Sequence, residues 1–269
     1  MRAEVEFDSG GRVLRGELHL PDRERAPGIL VCHAMHSEGF RWPPLYRMFA
    51  ERACERGFAC LLFDFRGCGQ SEGQFDYGWG EQEDARAAFD FLLRRQEVDA
   101  TGGFVVGRSL GGTIALYALA RDPRVKGFAL WATPPDHQEN IRSFILKRYG
   151  RISYITVLAL SYLDRTSNPL KPMRIELFGL RMRLRDLRRR MMALHGARLL
   201  AGTNHPPVLL LIGDKDEYVS VPEIQGFATT IDRNVRTKII PDTGHTFKGT
   251  EDRTAEATLE WFETLLNLH

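Results

Sequence analysis

The chain has 269 residues, 43% hydrophobic and 27% charged, with a net charge of +2 at neutral pH. That composition suits one large α/β domain with a sizeable core, and so small a net charge points to no polyanionic partner. Four cysteines, Cys32, Cys54, Cys60 and Cys68, cluster in the first quarter without C-x-x-C spacing, so free thiols in a reducing compartment are expected, not a disulfide framework. The first twenty residues alternate like a strand and contain no apolar signal core. The longest apolar run, ISYITVLALSYL over 152–163, is too short to span a bilayer, so a soluble cytoplasmic protein is expected.

In chain order, AEVEF and RVLRGELHL alternate with period two around DSGG, which predicts an antiparallel hairpin. GILVCH (28–33) is a near-continuous apolar run, as a buried parallel strand requires. PPLYRMFAERACERG reads as a helix with prolines at its start and Gly57 as its stop, and FACLLFDF as the next strand. GEQEDARAAFDFLLRRQ (80–96) is amphipathic, acidic early and arginine-rich late, as the helix dipole favours. GFVVG predicts a third buried strand followed by a helix from about Leu110 to Arg121, and VKGFALWA (125–132) a fourth. PVLLLIG (207–213), a helix near 221–231, VRTKIIP and a closing helix complete the order. Strands alternating with helices imply a mostly parallel sheet covered on both faces.

Residues 134–205 interrupt this alternation. They carry 14 Lys/Arg against 5 Asp/Glu, so about +9 sits here and about −7 elsewhere. Within LRMRLRDLRRRMMAL, Leu180, Leu184, Leu187, Met191 and Leu194 share one face of a helix with arginines on the other. A helical cap over 134–205, inserted into a core made of 1–133 and 206–269, is the expected organisation.

Two segments fit G-x-S-x-G, the setting of a nucleophilic serine: GRSLG around Ser109 and GQSEG around Ser71. The chemistry needs a strand ending at the serine and a helix starting just after it, which exposes Oγ on a sharp turn. Ser109 has both; Ser71 lies about seven residues past its strand and is followed by EGQFDYGWG, which cannot be helical. A serine hydroxyl also needs a base, and the base needs an orienting acid. In folds of this type the order is Ser, acid, His. Only His245 and the terminal His269 lie beyond PVLLLIG, and His245 sits in a loop directly after the last strand. Asp214, Asp216 and Glu217 follow PVLLLIG; Asp216 is preferred because reaching a neighbouring loop takes a residue a few positions beyond the strand, whereas Asp214 suits a turn. The Leu110 N–H, and an N–H in HAMHSEG, best that of Met35, are the expected oxyanion donors. His33 and His36 lack a third ligand at metal spacing, so no metal is expected, and no cofactor motif is present.

These residues resemble the α/β-hydrolase superfamily over essentially the whole chain. DFRGCGQSEG looks like the D-x-R-G-x-G-x-S loop that follows the fourth strand in many members, while GRSLGG, GDKDEYV and DTGHTF match the nucleophile, acid and histidine segments in order. The nearest likeness is to bacterial esterases of the cinnamoyl-esterase and serine-aminopeptidase-like group, which also carry a helical insertion. The resemblance implies an eight-stranded sheet, a Ser109–His245–Asp216 triad, Met35 and Leu110 as oxyanion donors, and ester hydrolysis through an acyl-serine. One departure is His33-Ala34 where such proteins have His-Gly, which puts the Met35 donor in question.

A small-molecule ester is therefore the expected partner, with no nucleic acid and no membrane span; dimerisation through the cap is left open. Phe144, Tyr149 and Tyr154 are candidates to line an acyl or aromatic pocket or to form the cap's own core, and the cap arginines to attract an anionic substrate or to make a solvated helix face. The alternatives are an acyl-thioesterase or acyltransferase with the same triad, a peptidase, and a non-catalytic module docking its basic cap on nucleic acid or membrane.

Overall fold

The alternating first segments form a hairpin, β1 (Arg2–Ser9) and β2 (Arg12–His19), joined at Gly10-Gly11 with positive φ at both glycines, the backbone of a tight two-residue hairpin turn. The apolar runs become β3 (Ala26–Cys32), β4 (Ala59–Phe63), β5 (Val98–Arg108) and β6 (Val125–Trp131), with α1 (Leu45–Glu55), α2 (Glu81–Leu93) and α3 (Leu110–Leu119) between them. These observations come from a computed structural model that describes residues 1–163, 174–231 and 234–267, without the side chains of residues 148, 149 and 163. His269 and Tyr149, both raised by the sequence, thus fall outside the described residues and side chains.

After β6 come α4 (His137–Leu163, broken at Gly150 by a φ of 80°), β7 (Arg174–Leu177), β8 (Leu180–Arg183), α5 (Leu184–Arg189) and α6 (Gly196–Leu200). β9 (Val208–Gly213), α7 (Val221–Ile231), β10 (Val235–Ile240) and α8 (Glu251–Leu266) close the chain.

The main sheet has eight strands in the order β1-β2-β4-β3-β5-β6-β9-β10, parallel from β4 to β10 and antiparallel only at β1 and β2. This is the mostly parallel α/β architecture expected. α1 packs with α8 and α2 with α3. Alternation along β5 puts these pairs on opposite faces: a Cβ at Gly103 points at Phe89 of α2, while the next residue, Phe104, stacks on Phe262 of α8 at 4.4 Å. The chain leaves β3 towards β4 on one side and returns as β5 on the other. The loops after β3 and β5 therefore diverge and leave a crevice at the carboxyl edge of the sheet, the usual ligand position in such folds.

The expected single helix over 180–194 is not formed. β7 and β8 make a separate two-stranded hairpin through Phe178 and Gly179, both at positive φ, and only Leu184–Arg189 is α-helical before a 3-10 turn at Met191–Ala193. Leu180, Leu184, Leu187, Met191 and Leu194 are all buried nonetheless. The apolar face is real, but it is assembled from a strand, a short helix and a turn. One core loop fastens this segment: Asp76 pairs with Arg190, Trp79 Nε1 donates to the Arg190 carbonyl at 3.1 Å, and Arg183 N–H donates to Tyr77 Oη at 2.7 Å.

Candidate active site

Ser109 stands between the end of β5 and the start of α3, with φ 51° and ψ −125°. A non-glycine residue held there costs of order 1–3 kcal/mol and persists only where its surroundings impose it. They do so by close approach: a Cβ on Gly107 would lie 2.4 Å from Gly112 Cα, and one on Gly111 would lie 2.1 Å from the His33 carbonyl oxygen. The two glycines of the motif are thus the residues that let β3, β5 and α3 converge. Ser109 N–H donates to the Trp131 carbonyl at 2.9 Å, tying the turn to β6.

Ser71 sits differently. Its Oγ donates to the Asp64 carbonyl at 2.6 Å and accepts the Arg15 N–H at 2.9 Å, so it staples the loop after β4 to β2. Asp64 is fully buried and holds the same loop through the N–H groups of Phe40 and Gln70 and an ion pair with Arg41.

His245 and Asp216 meet, and His245 lines the same cavity as Ser109. His245 Nδ1 lies 2.9 Å from Asp216 Oδ2 and 3.1 Å from Oδ1, and the carboxylate is fully buried. Asp216 Oδ1 also accepts N–H groups of Tyr218 (2.8 Å) and Val219 (2.9 Å), which orient it. Asp214 is exposed and accepts the Thr243 N–H at 3.1 Å, holding the loop that carries His245 rather than the imidazole. The ring of Tyr218 packs against His245 at 4.8 Å.

The loop after β3 is set by His33. Its Nδ1 is 2.6 Å from the Ala34 carbonyl and its Nε2 accepts the Phe65 N–H at 3.0 Å, so neither nitrogen is left for an ion. Burial pushes this imidazole below its ordinary range, which suits a neutral ring donating from Nδ1 and accepting at Nε2. Ala34 N–H is taken by Tyr46 Oη at 2.8 Å, leaving Met35 as the next donor along the loop. Ala34 is not among the residues with positive φ, so the backbone here does not require the glycine that the resemblance led one to expect.

Ser109, Leu110, Met35 and His245 face one cavity of about 430 Å³. Most of its walls come from the segment after β6, among them Ile141, Phe144, Val157, Ile175, Leu187 and Met191, with Trp42 and Tyr218 added from elsewhere. Phe144 is placed as expected, whereas Tyr154 lines a smaller adjoining pocket. Among the described residues none of the arginines of 134–205 lines the cavity, which fits the solvated face and not the attraction of an anionic substrate. Two lining residues gave no signal in the sequence. His137 is buried with Nε2 2.8 Å from Thr113 Oγ1, and Arg108 is buried immediately before Ser109.

A parallel sheet with a strained serine turn at its carboxyl edge and a histidine–aspartate pair alongside defines an α/β hydrolase. The chain belongs to the alpha/beta hydrolase family, whose pattern it matches over residues 29–257. It is 35% identical over 127 residues to the quorum-quenching protein AidA of Acinetobacter baumannii, covering 45% of this chain and 40% of that protein. It is also 32% identical over 186 residues to the polyketide transferase ATR5 of Stachybotrys chlorohalonatus, covering 66% and 57%. The matches thus span less than two thirds of either relative. Among solved structures, Est1E from Butyrivibrio proteoclasticus superposes with a TM-score of 0.72 at 18% identity over 98% of this chain and 99% of that one, and Est1E has also been solved with ferulic acid bound. Among the described residues no helix is long and apolar enough to cross a membrane.

Proposed function

We propose that the protein is a serine esterase that cleaves carboxylic esters with an apolar acyl group. His245 Nε2 takes the proton of Ser109 Oγ as the oxygen attacks the ester carbonyl. Asp216 holds the imidazole through Nδ1 and stabilises the imidazolium that forms. The Met35 and Leu110 N–H groups, the latter at the positive end of α3, stabilise the oxyanion. Collapse breaks the carbonyl–alkoxy bond, His245 returns its proton to the departing alcohol, and water repeats the cycle on the acyl-serine to release the acid.

The observation that carries this reading is the 2.9 Å His245–Asp216 contact beside the strained Ser109 turn, opening on one cavity. The apolar walls favour an uncharged acyl chain or ring, and the fold likeness to Est1E fits an aromatic acyl group such as the ferulic acid that protein holds. Among the described residues no Asp or Glu lines the cavity to receive a peptide amino terminus, which disfavours a peptidase. The match to a polyketide transferase supports a second reading, transfer of the acyl group to an acceptor other than water. Hydrolysis of p-nitrophenyl esters of graded acyl length, with fluorophosphonate labelling and Ser109→Ala as control, tests the proposal. Wild-type turnover in Ser109→Ala would overturn it, and an ester product formed with added alcohols would favour transfer.

A further inference from the structure

The proposed mechanism leaves one buried charge beside it without a role. Arg108, immediately before Ser109, is 1% exposed, and among the described residues its hydrogen-bond partners are neutral. Nε at 3.3 Å and Nη2 at 3.1 Å both donate to the His245 carbonyl, and Nη1 donates to Tyr46 Oη at 3.2 Å. The fully buried Tyr46 Oη also accepts the Ala34 N–H at 2.8 Å. The guanidinium further lies over the Trp42 ring, 5.9 Å from its centroid. Removing a cation from water without a counter-ion is costly, and an apolar side chain of similar volume serves stability as well or better. Arginine here therefore calls for a reason other than packing.

We propose that Arg108 is the positioning residue of the site, and this rests on the esterase reading above. One planar group, carried by the nucleophile's own strand, ties two other chain segments to it. One arm fixes the backbone of His245, the residue whose other anchor is the Nδ1 contact with Asp216. The second arm runs through Tyr46 to the Ala34 N–H, in the loop that presents Met35. The Ala34 carbonyl is fixed on its other side by His33. In a trans peptide the carbonyl and the following N–H are antiparallel, so holding Ala34 also aims the Met35 donor. Base, nucleophile and oxyanion donor thus share one rigid reference. The fork geometry is what lets one side chain do this: the Nε–Nη2 edge grips one acceptor while Nη1 reaches a second, which a lysine ammonium cannot do in a fixed plane.

The test uses the full chain, with Arg108→Met, Arg108→Lys, Arg108→Ala and Tyr46→Phe assayed on a neutral p-nitrophenyl ester and on one bearing a carboxylate, and checked by thermal unfolding. Arg108→Met is expected to lower kcat about 100-fold, the loss that a displacement of about 1 Å brings, with KM near the wild-type value. Tyr46→Phe cuts only the arm to Ala34 and should fall between Arg108→Met and wild type. Arg108→Lys should recover part of the turnover, and added ethylguanidinium, not ethylammonium, should restore part of that of Arg108→Ala. Wild-type kcat in Arg108→Met overturns the inference. A loss confined to KM, seen only with esters bearing a carboxylate, also overturns it, because Arg108 then contacts substrate. Should Arg108→Met fail to fold, wild-type kcat in both Arg108→Lys and Tyr46→Phe overturns it equally. Failure of the esterase reading looks different: Ser109→Ala stays active, or the wild type resists fluorophosphonate.

Discussion

His137, the first residue of α4, couples acidity to the stability of the site. It is 4% exposed, and its Nε2 lies 2.8 Å from Thr113 Oγ1, one turn into the helix that begins after Ser109. Burial pushes its imidazole down from the ordinary 6.5 to about 4, with neighbouring Asp136 opposing that shift and His195 adding to it. The folded protein keeps His137 neutral at pH values where the unfolded chain binds a proton. Its contribution is complete above pH 6.5 and is lost as pH falls through 6.5 towards 4. At pH 5 the chain is about 1.5 units below the unfolded value, which at ~1.36 kcal/mol per unit is a loss of about 2 kcal/mol. For a protein of this size that is roughly 4–8 °C in Tm. Glu81 acts in the opposite sense: burial pushes it up to about 7, so its contribution grows over the same fall in pH. That growth is common to wild type and His137→Gln and drops out of their difference. Thermal or urea unfolding of both proteins at pH 7.5 and pH 5 reads the effect. Equal losses in the two between these pH values would refute the reasoning.

Asp216→Asn should lower kcat by ~10⁴-fold, as loss of the orienting acid does in Ser-His-Asp systems, while Asp214→Asn retains most activity; steady-state kinetics of the pair decides between them. Ser71→Ala removes the link between Arg15 N–H and the Asp64 carbonyl and should cost about 1–3 kcal/mol in urea unfolding, with turnover of the folded protein unchanged. Gly111→Ala places a Cβ 2.1 Å from the His33 carbonyl, so the serine turn must shift. A fall in Tm, with loss of fluorophosphonate labelling in whatever protein still folds, is the expected outcome.

The sheet was legible because its strands are buried on both faces and read as unbroken apolar runs between helical periods. The placement of Ser109, His245 and Asp216 was legible because a strand-to-helix serine turn demands glycines at fixed offsets and because strand ends display loops at one edge. The stretch 180–194 was misread for a physical reason. RIEL and LRMR alternate with period two around Phe178-Gly179, a hairpin signal, but Leu180, Leu184, Leu187, Met191 and Leu194 also fit a helical period. Burial selected those apolar positions without selecting one backbone to carry them. Arg108 gave no signal because an arginine ending a buried strand looks like the strand's arrival at solvent, and only tertiary structure shows it enclosed. The charge of 134–205 gave two readings, and the described arginines of that stretch lie off the cavity, as a solvated face would have them.

The cavity has two owners. The proposed nucleophile, base and oxyanion donors, and the residues that orient them, come from the carboxyl edge of the main sheet, at residues 34–35, 108–110, 216 and 245. Most of the wall that an acyl group meets comes from the stretch between β6 and β9. Variation in that one stretch therefore remodels what is accepted without disturbing what is done to it. A graft in that stretch has to keep partners for Asp76, Tyr77 and Trp79, and for Thr113, which holds His137, among its mounting points on the core.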